Sequence, residues 1–144
     1  LFTLRPLVLE SQGLVAALQQ LCEKMKETYG LNVILEASPF ENRVDGAKQG
    51  VAFYIVEEAV GNARKHAEAR HLWVSCRIDP PGAWLRISDD GRGLQGSRRD
   101  SFGFDIMRER AARIGATLTV VDRGGGGTVV EVDLATLREG SQSR

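Results

Sequence analysis

The segment from Leu72 to Asp89 constrains the fold more than any other part of this 144-residue chain. Leu72, Val74, Cys76 and Ile78 alternate with Trp73, Ser75, Arg77 and Asp79. After Pro80-Pro81-Gly82 the alternation resumes, with Ala83, Leu85 and Ile87 set against Trp84, Arg86 and Ser88. Two period-two runs joined by a tight Pro/Gly turn predict an antiparallel hairpin with one covered face. Asp89 is in phase with Leu85 and Ile87, so the hairpin ends by aiming a carboxylate at the covered side, where it needs a partner. Parallel neighbours require long crossovers, and strands this closely linked rule out a doubly wound parallel sheet.

Helical periods surround the hairpin. Ser11 is placed to cap a helix carrying Leu14, Leu18, Leu21 and Met25, which Gly30 can end. Residues 32–37 form a short strand candidate, and 38–50, with Pro39, Gly46 and Gly50, read mostly as loop. From Val51 to Ala67 an apolar stripe of Ala52, Ile55, Val56, Ala59, Ala63 and Ala67 predicts a second helix. Glu58, Asn62 and Lys65 share the strip beside it. Phe104, Met107, Ala111 and Ile114 mark a third helix. Residues 117–122 and 128–134 are the last strands, joined through four glycines, with Thr128 in phase with Val130, Val132 and Leu134. The expected class is an α/β (α+β) two-layer sandwich. Residues 1–10 read as a connector, 11–137 as one domain and 138–144 as a polar tail.

Composition narrows the function classes. Lys+Arg and Asp+Glu balance at 19 each, which removes the basic field expected of a nucleic-acid binder. Cys22 and Cys76 fall in a helix and a strand, so buried free thiols and a reducing compartment are expected rather than a disulfide or metal site. No run approaches the ~18 apolar residues of a bilayer span, so no direct membrane contact is expected. The chain opens Leu-Phe-Thr and reads as a piece of a longer protein.

Each candidate motif has an ordinary explanation beside a chemical one. Glu58, Asn62 and Lys65 can be solvated helix surface; equally, a carboxylate, an amide oxygen and a cation suit Mg²⁺ and phosphates. Asp89-x-Gly91-x-Gly93 can be a simple turn, or an acid for an exocyclic amine beside backbone that lets a ligand approach. The residues between Leu94 and Phe102, including Arg98 and Arg99, suit a short lid. Trp73 and Trp84 lie on the other sheet face, as a packed pair or a docking surface. His66 suits packing or a helix end better than catalysis.

Taken in order, these segments resemble one family. Tyr54-Ile55-Val56-Glu57-Glu58-Ala59-Val60-Gly61-Asn62-Ala63-Arg64-Lys65-His66-Ala67 resembles the N box of sensor histidine kinases, and Asp89-Asp90-Gly91-Arg92-Gly93 their first glycine box. Residues 102–111 are similar to the second glycine region of the branch that includes the nitrate/nitrite sensors, and Gly127-Thr128 to the last glycine box. Leu4-Arg5-Pro6 and residues 13–18 resemble that branch's junction between dimerisation helices and ATPase domain. The resemblance implies the Bergerat (GHKL) fold, a mixed, mostly antiparallel sheet with helices on one face and ATP between the layers. It implies that Asn62 holds Mg²⁺, Lys65 contacts phosphates and Asp89 binds the adenine amine. Gly91, Gly93 and Gly103 would admit the nucleotide and hinge the lid, and Thr128 would bind adenine through water. Glu58 matches the N-box acid, a general base in the superfamily's ATPases; in the kinases an acid near the target histidine can do that work. Two departures stand out: Ser101 replaces the first glycine of the second box in a short lid, and the chain holds no phosphoacceptor histidine motif.

The expectation is therefore the catalytic domain of a two-component histidine kinase, a cytoplasmic enzyme using ATP and Mg²⁺. Its expected partners are its own upstream dimerisation and phosphoacceptor domain and, through the parent protein, a response regulator. The alternative is a nucleotide-binding regulatory module of the same fold without phosphoryl transfer.

Overall fold

The computed structural model describes residues 6–37, 44–66, 68–79, 82–93 and 103–136. The Pro80-Pro81 turn, Pro39, Ala67, the 94–102 segment with Arg98, Arg99 and Ser101, and the tail lie outside them.

Nine elements follow one another among the described residues. They are α1 (Leu7–Gln12), α2 (Leu14–Tyr29), β1 (Asn32–Ala37), α3 (Gly46–Lys65), β2 (His71–Asp79), β3 (Gly82–Asp89), α4 (Phe104–Arg113), β4 (Thr117–Asp122) and β5 (Thr128–Thr136). The sheet order is β1-β2-β3-β5-β4. β1 runs parallel to β2 through the α3 crossover, and every other pair is antiparallel. This is the mixed two-layer sandwich expected, with α2, α3 and α4 packed on the sheet.

The start differs from the sequence expectation. Residues 7–12 are helical rather than a plain connector, and Ser11 lies inside that helix, its hydroxyl donating to the Leu7 carbonyl at 3.1 Å. The break falls instead at Gly13, whose φ of 94° a side chain would resist. α3 likewise begins before Val51. Asp45 takes the N-cap position and its carboxylate accepts the Lys48 N–H at 3.0 Å, so Gly46 and Gly50 are helical, not loop.

The helices bury one stripe each. Leu14 and Leu18 of α2, Ile55 and Val56 of α3, and Met107 of α4 are fully buried against Val33, Leu72, Val74, Leu85, Val132 and Leu134 of the sheet. Cys22 and Cys76 are buried thiols outside any disulfide. The opposite sheet face carries the intervening residues. There Arg86 lies 4.7 Å over the Trp84 ring and 2.8 Å from Glu131, and Arg123 lies 4.8 Å over Trp73.

Candidate functional site

Alternation along β3 delivers Asp89 to the helix-facing side as anticipated, with 7% exposure, and Thr128 of β5 is equally buried. The pairing of Ser88 with Val129 sets these two residues side by side. Asp89 accepts the Gly91 N–H at 2.8 Å and also the backbone N–H of Thr128. Burial pushes the Asp89 carboxyl above its ordinary range. Those two N–H groups and Arg123 hold it down, while the neighbouring Asp90 charge adds to the rise. A buried acid with two backbone donors and an elevated pKa keeps acceptor capacity in hand for an incoming donor.

Glycine is required around this acid by close approach. A Cβ on Gly127 would sit 1.8 Å from the Asp89 carbonyl oxygen. One on Gly93 would meet Asp122 Oδ1 at 3.0 Å and the Gly127 carbonyl at 3.1 Å. Gly93 and Gly103 hold φ of 79° and 72°, a left-handed backbone that favours glycine. Gly91 needs no positive φ; its role is to turn its N–H onto Asp89.

The second wall is α3, which packs over β2, β3 and β5. Glu58 and Asn62 are half-buried at the edge of its apolar stripe, and Lys65 is exposed one turn on. Glu58 Oε1 lies 3.9 Å from the Cβ position of Gly103, so the start of α4 closes against the acid of α3. The structure thus gathers Asp89, Gly91, Gly93 and Thr128 into one cluster and sets Glu58 beside Gly103 in another. Asn62 and Lys65 continue the α3 strip. His66 closes α3, its N–H donating to the Asn62 carbonyl at 2.9 Å, the helix-end role expected of it.

Sequence reasoning passed over four residues at the site. Arg123 clamps the glycine turn, its N–H donating to the Gly127 carbonyl at 2.8 Å and its guanidinium to the Gly126 carbonyl at 2.9 Å. Asp122 borders Gly93. Asp90 and Arg92, the spacers of the Asp-Gly-Gly motif, bond to the chain between α3 and β2. Nothing in the sequence marks Asp90 and Arg92, because their partners are brought near only by the β2–β3 pairing. A groove of about 630 Å³ lies elsewhere, between α1, α2 and β1, lined by Val8, Gln12, Cys22, Val33 and Leu35 among others. It holds none of the predicted site residues.

Comparison with known proteins identifies the family and the fold. The family described as Histidine kinase-, DNA gyrase B-, and HSP90-like ATPase matches residues 47–138. The chain is 34% identical over 142 residues to an uncharacterized sensor-like histidine kinase of Chloroflexus aurantiacus, covering 92% of this chain and 24% of that protein. It is 33% identical over 147 residues to the nitrate/nitrite sensor protein NarQ of Escherichia coli, covering 100% and 26%. The chain therefore spans about a quarter of the length of these curated relatives. In fold it is similar to a blue-light activated histidine kinase of Erythrobacter litoralis, with a TM-score of 0.68, 24% identity and coverage of 83% and 41%. It is also similar to the ATP binding domain of PrrB from Mycobacterium tuberculosis, with a TM-score of 0.63, 22% identity and coverage of 81% and 88%. The family match takes in more than half of the chain, which belongs to this family as an ATP-binding domain of sensor histidine kinases.

Proposed function

We propose that this domain binds Mg-ATP and donates the γ-phosphate to a histidine on an adjacent domain outside this chain. The reading is carried by Asp89, a buried carboxylate on the helix-facing side of the sheet, beside Gly127, where a side chain would overlap the Asp89 backbone. An exocyclic adenine amine is the donor such an acid lacks, and the Thr128 hydroxyl can hold the ring through water.

The α3 strip fits the other end of the nucleotide. Mg²⁺ takes a few protein oxygens and fills the rest of its octahedron with phosphate and water. Asn62 offers one such oxygen. A single amide oxygen suits a cation that arrives already held by phosphates. When bound, Mg²⁺ supplies charge neutralisation on the transferred group. Lys65 adds a positive charge along the same strip. Glu58, beside Gly103, would orient a reacting group or accept its proton. Transfer of a phosphoryl group rests largely on positioning and electrostatics, which is what two rigid walls provide.

The acceptor histidine is assigned to an upstream dimerisation and phosphoacceptor domain, and His66 is left to its helix end. A response regulator would then receive the phosphoryl group through the parent protein. We place the domain in the cytoplasm; no helix among the described residues is long and apolar enough to cross a membrane.

Calorimetric titration with a non-hydrolysable ATP analogue and Mg²⁺ tests the reading. Asp89→Asn is expected to weaken binding by roughly 10-fold or more, as for loss of a charged hydrogen bond. Asn62→Asp is expected to change the Mg²⁺ dependence with the fold intact. A folded wild-type domain that binds nothing, or undiminished affinity in Asp89→Asn, overturns it. Radiolabelled ATP with the cognate upstream helices then separates kinase from regulatory module: a labelled histidine marks the first, bound and unreacted ATP the second.

A further inference from the structure

The two spacer residues of the Asp89–Gly93 turn, Asp90 and Arg92, have no part in nucleotide contact as read above. Both reach back to the chain that joins α3 to β2. Asp90 Oδ1 accepts the N–H groups of Arg70 and His71, each at 2.9 Å, and Oδ2 lies 2.7 Å from His71 Nδ1. The Asp90 N–H in turn donates to the His71 carbonyl at 3.3 Å. Arg92 grips the other end of the same connection, its Nη2 donating to the His66 carbonyl at 2.8 Å.

The Arg92 bond matters because of where His66 stands. Carbonyls in the last turn of a helix have no intrahelical partner, and Arg92 supplies one. The His66 N–H donates to the Asn62 carbonyl at 2.9 Å, so a single residue links the Arg92 guanidinium to the backbone of Asn62. Between the two gripped ends, Glu68 holds a φ of 55°. A non-glycine residue keeps such a conformation where its surroundings over-determine it. Arg92 also lies 4.0 Å from the Glu68 carboxylate, but both side chains are largely exposed and an ion pair of that kind contributes little.

We propose that Asp90 and Arg92 are positioning residues that fix the spacing between the wall that holds Asp89 and the turn of α3 that carries Asn62. The inference rests on the function proposed above and adds to it a built-in gauge. Asp90 sets the base of the turn on β2, and Arg92 sets its tip on α3. With the tip released, the end of α3 is free to fray, and the Asn62 oxygen loses its fixed place. Asp89 stays where the sheet holds it.

The consequence is a split between metal-dependent and metal-independent affinity. Titration of the whole chain with the imido analogue of ATP, in excess Mg²⁺ and separately in EDTA, measures the gain that the metal provides. Arg92→Met is expected to cut that gain by about 5-fold, the scale of one ordinary hydrogen bond at an exposed site, while affinity in EDTA changes less than about 2-fold. Arg92→Lys keeps a charged donor and is expected to recover most of the gain; Glu68→Ala is expected to leave it intact. Arg92 is exposed, so the melting temperature of its variants checks that the fold survives. An unchanged Mg²⁺ gain in Arg92→Met overturns the inference, as does an equal loss with and without metal, which would mean direct contact with phosphate. Wild-type protein that fails to bind in either buffer instead sinks the functional reading itself.

Discussion

Asp89 and Asp90 are adjacent in sequence and opposite in electrostatics. Burial raises Asp89, incompletely offset by the Gly91 and Thr128 N–H groups. Partial burial also acts to raise Asp90, but hydrogen bonds from His71 and Arg70 outweigh it and bring the group down to about 2. A carboxyl raised in the folded state contributes stability at low pH that is lost as pH climbs through its folded pKa. Its charge at neutral pH therefore burdens the ligand-free fold. A carboxyl lowered in the folded state contributes stability above its ordinary pKa, lost as pH falls from about 4 towards about 2. Asp89→Asn is thus expected to hold or raise the melting temperature at neutral pH, the difference closing in acid. Asp90→Asn is expected to cost about 1–2 kcal/mol at neutral pH after allowance for solvent screening, and nothing in strong acid. Thermal melts of both variants across the acid range check the pair; equal destabilisation at neutral pH would contradict it. The inward aim of Asp89 was legible from the alternation of β3. The grip of Asp90 was not, because its partners at 70 and 71 arrive through strand pairing rather than local sequence.

At the scale of elements, the apolar stripe of α3 was readable from Ala52 to Ala63, while its start was misjudged. Gly46 and Gly50 look like loop residues, yet the Asp45 cap and burial of Ala52, Ile55 and Val56 outweigh their poor propensity. The same competition explains α1: Ser11 satisfies a carbonyl within its own helix instead of opening the next one. The glycine run between β4 and β5 was legible as a turn, with Gly127 its sharper member. The reason lies in the approach of two backbones. A methyl group there would meet the Asp89 carbonyl, which cannot rotate away. Gly127→Ala is expected to lose roughly 2–4 kcal/mol in urea unfolding, through overlap and a disfavoured φ of 111°. Gly124→Ala, with open space around it, is expected to stay within about 0.5 kcal/mol. Similar losses at both positions would show that the seam is looser than described.

For the whole molecule, periodicity yields the layers, but not the strand order. The β2–β3 and β4–β5 hairpins are local and were both readable; the β3–β5 contact joins residues more than forty apart, such as Ile87 and Val130, and leaves no local mark. Recognition of the ordered glycine boxes, rather than strand pattern, supplied that neighbourhood in advance. The order of assembly follows from the same map. Local hairpins close in microseconds, whereas pairings across long loops wait on chain entropy. Asp89 and Thr128 belong to different hairpins, so their cleft exists only after the two ribbons have met. A nucleotide seated there would act as a clasp across that joint, stabilising the assembled state by mass action. Amide hydrogen exchange with and without the ATP analogue should show protection concentrated along β3 and β5; uniform protection over both hairpins would place the joint elsewhere. In such a design, the last joint to close in folding is the one that a bound nucleotide would hold shut.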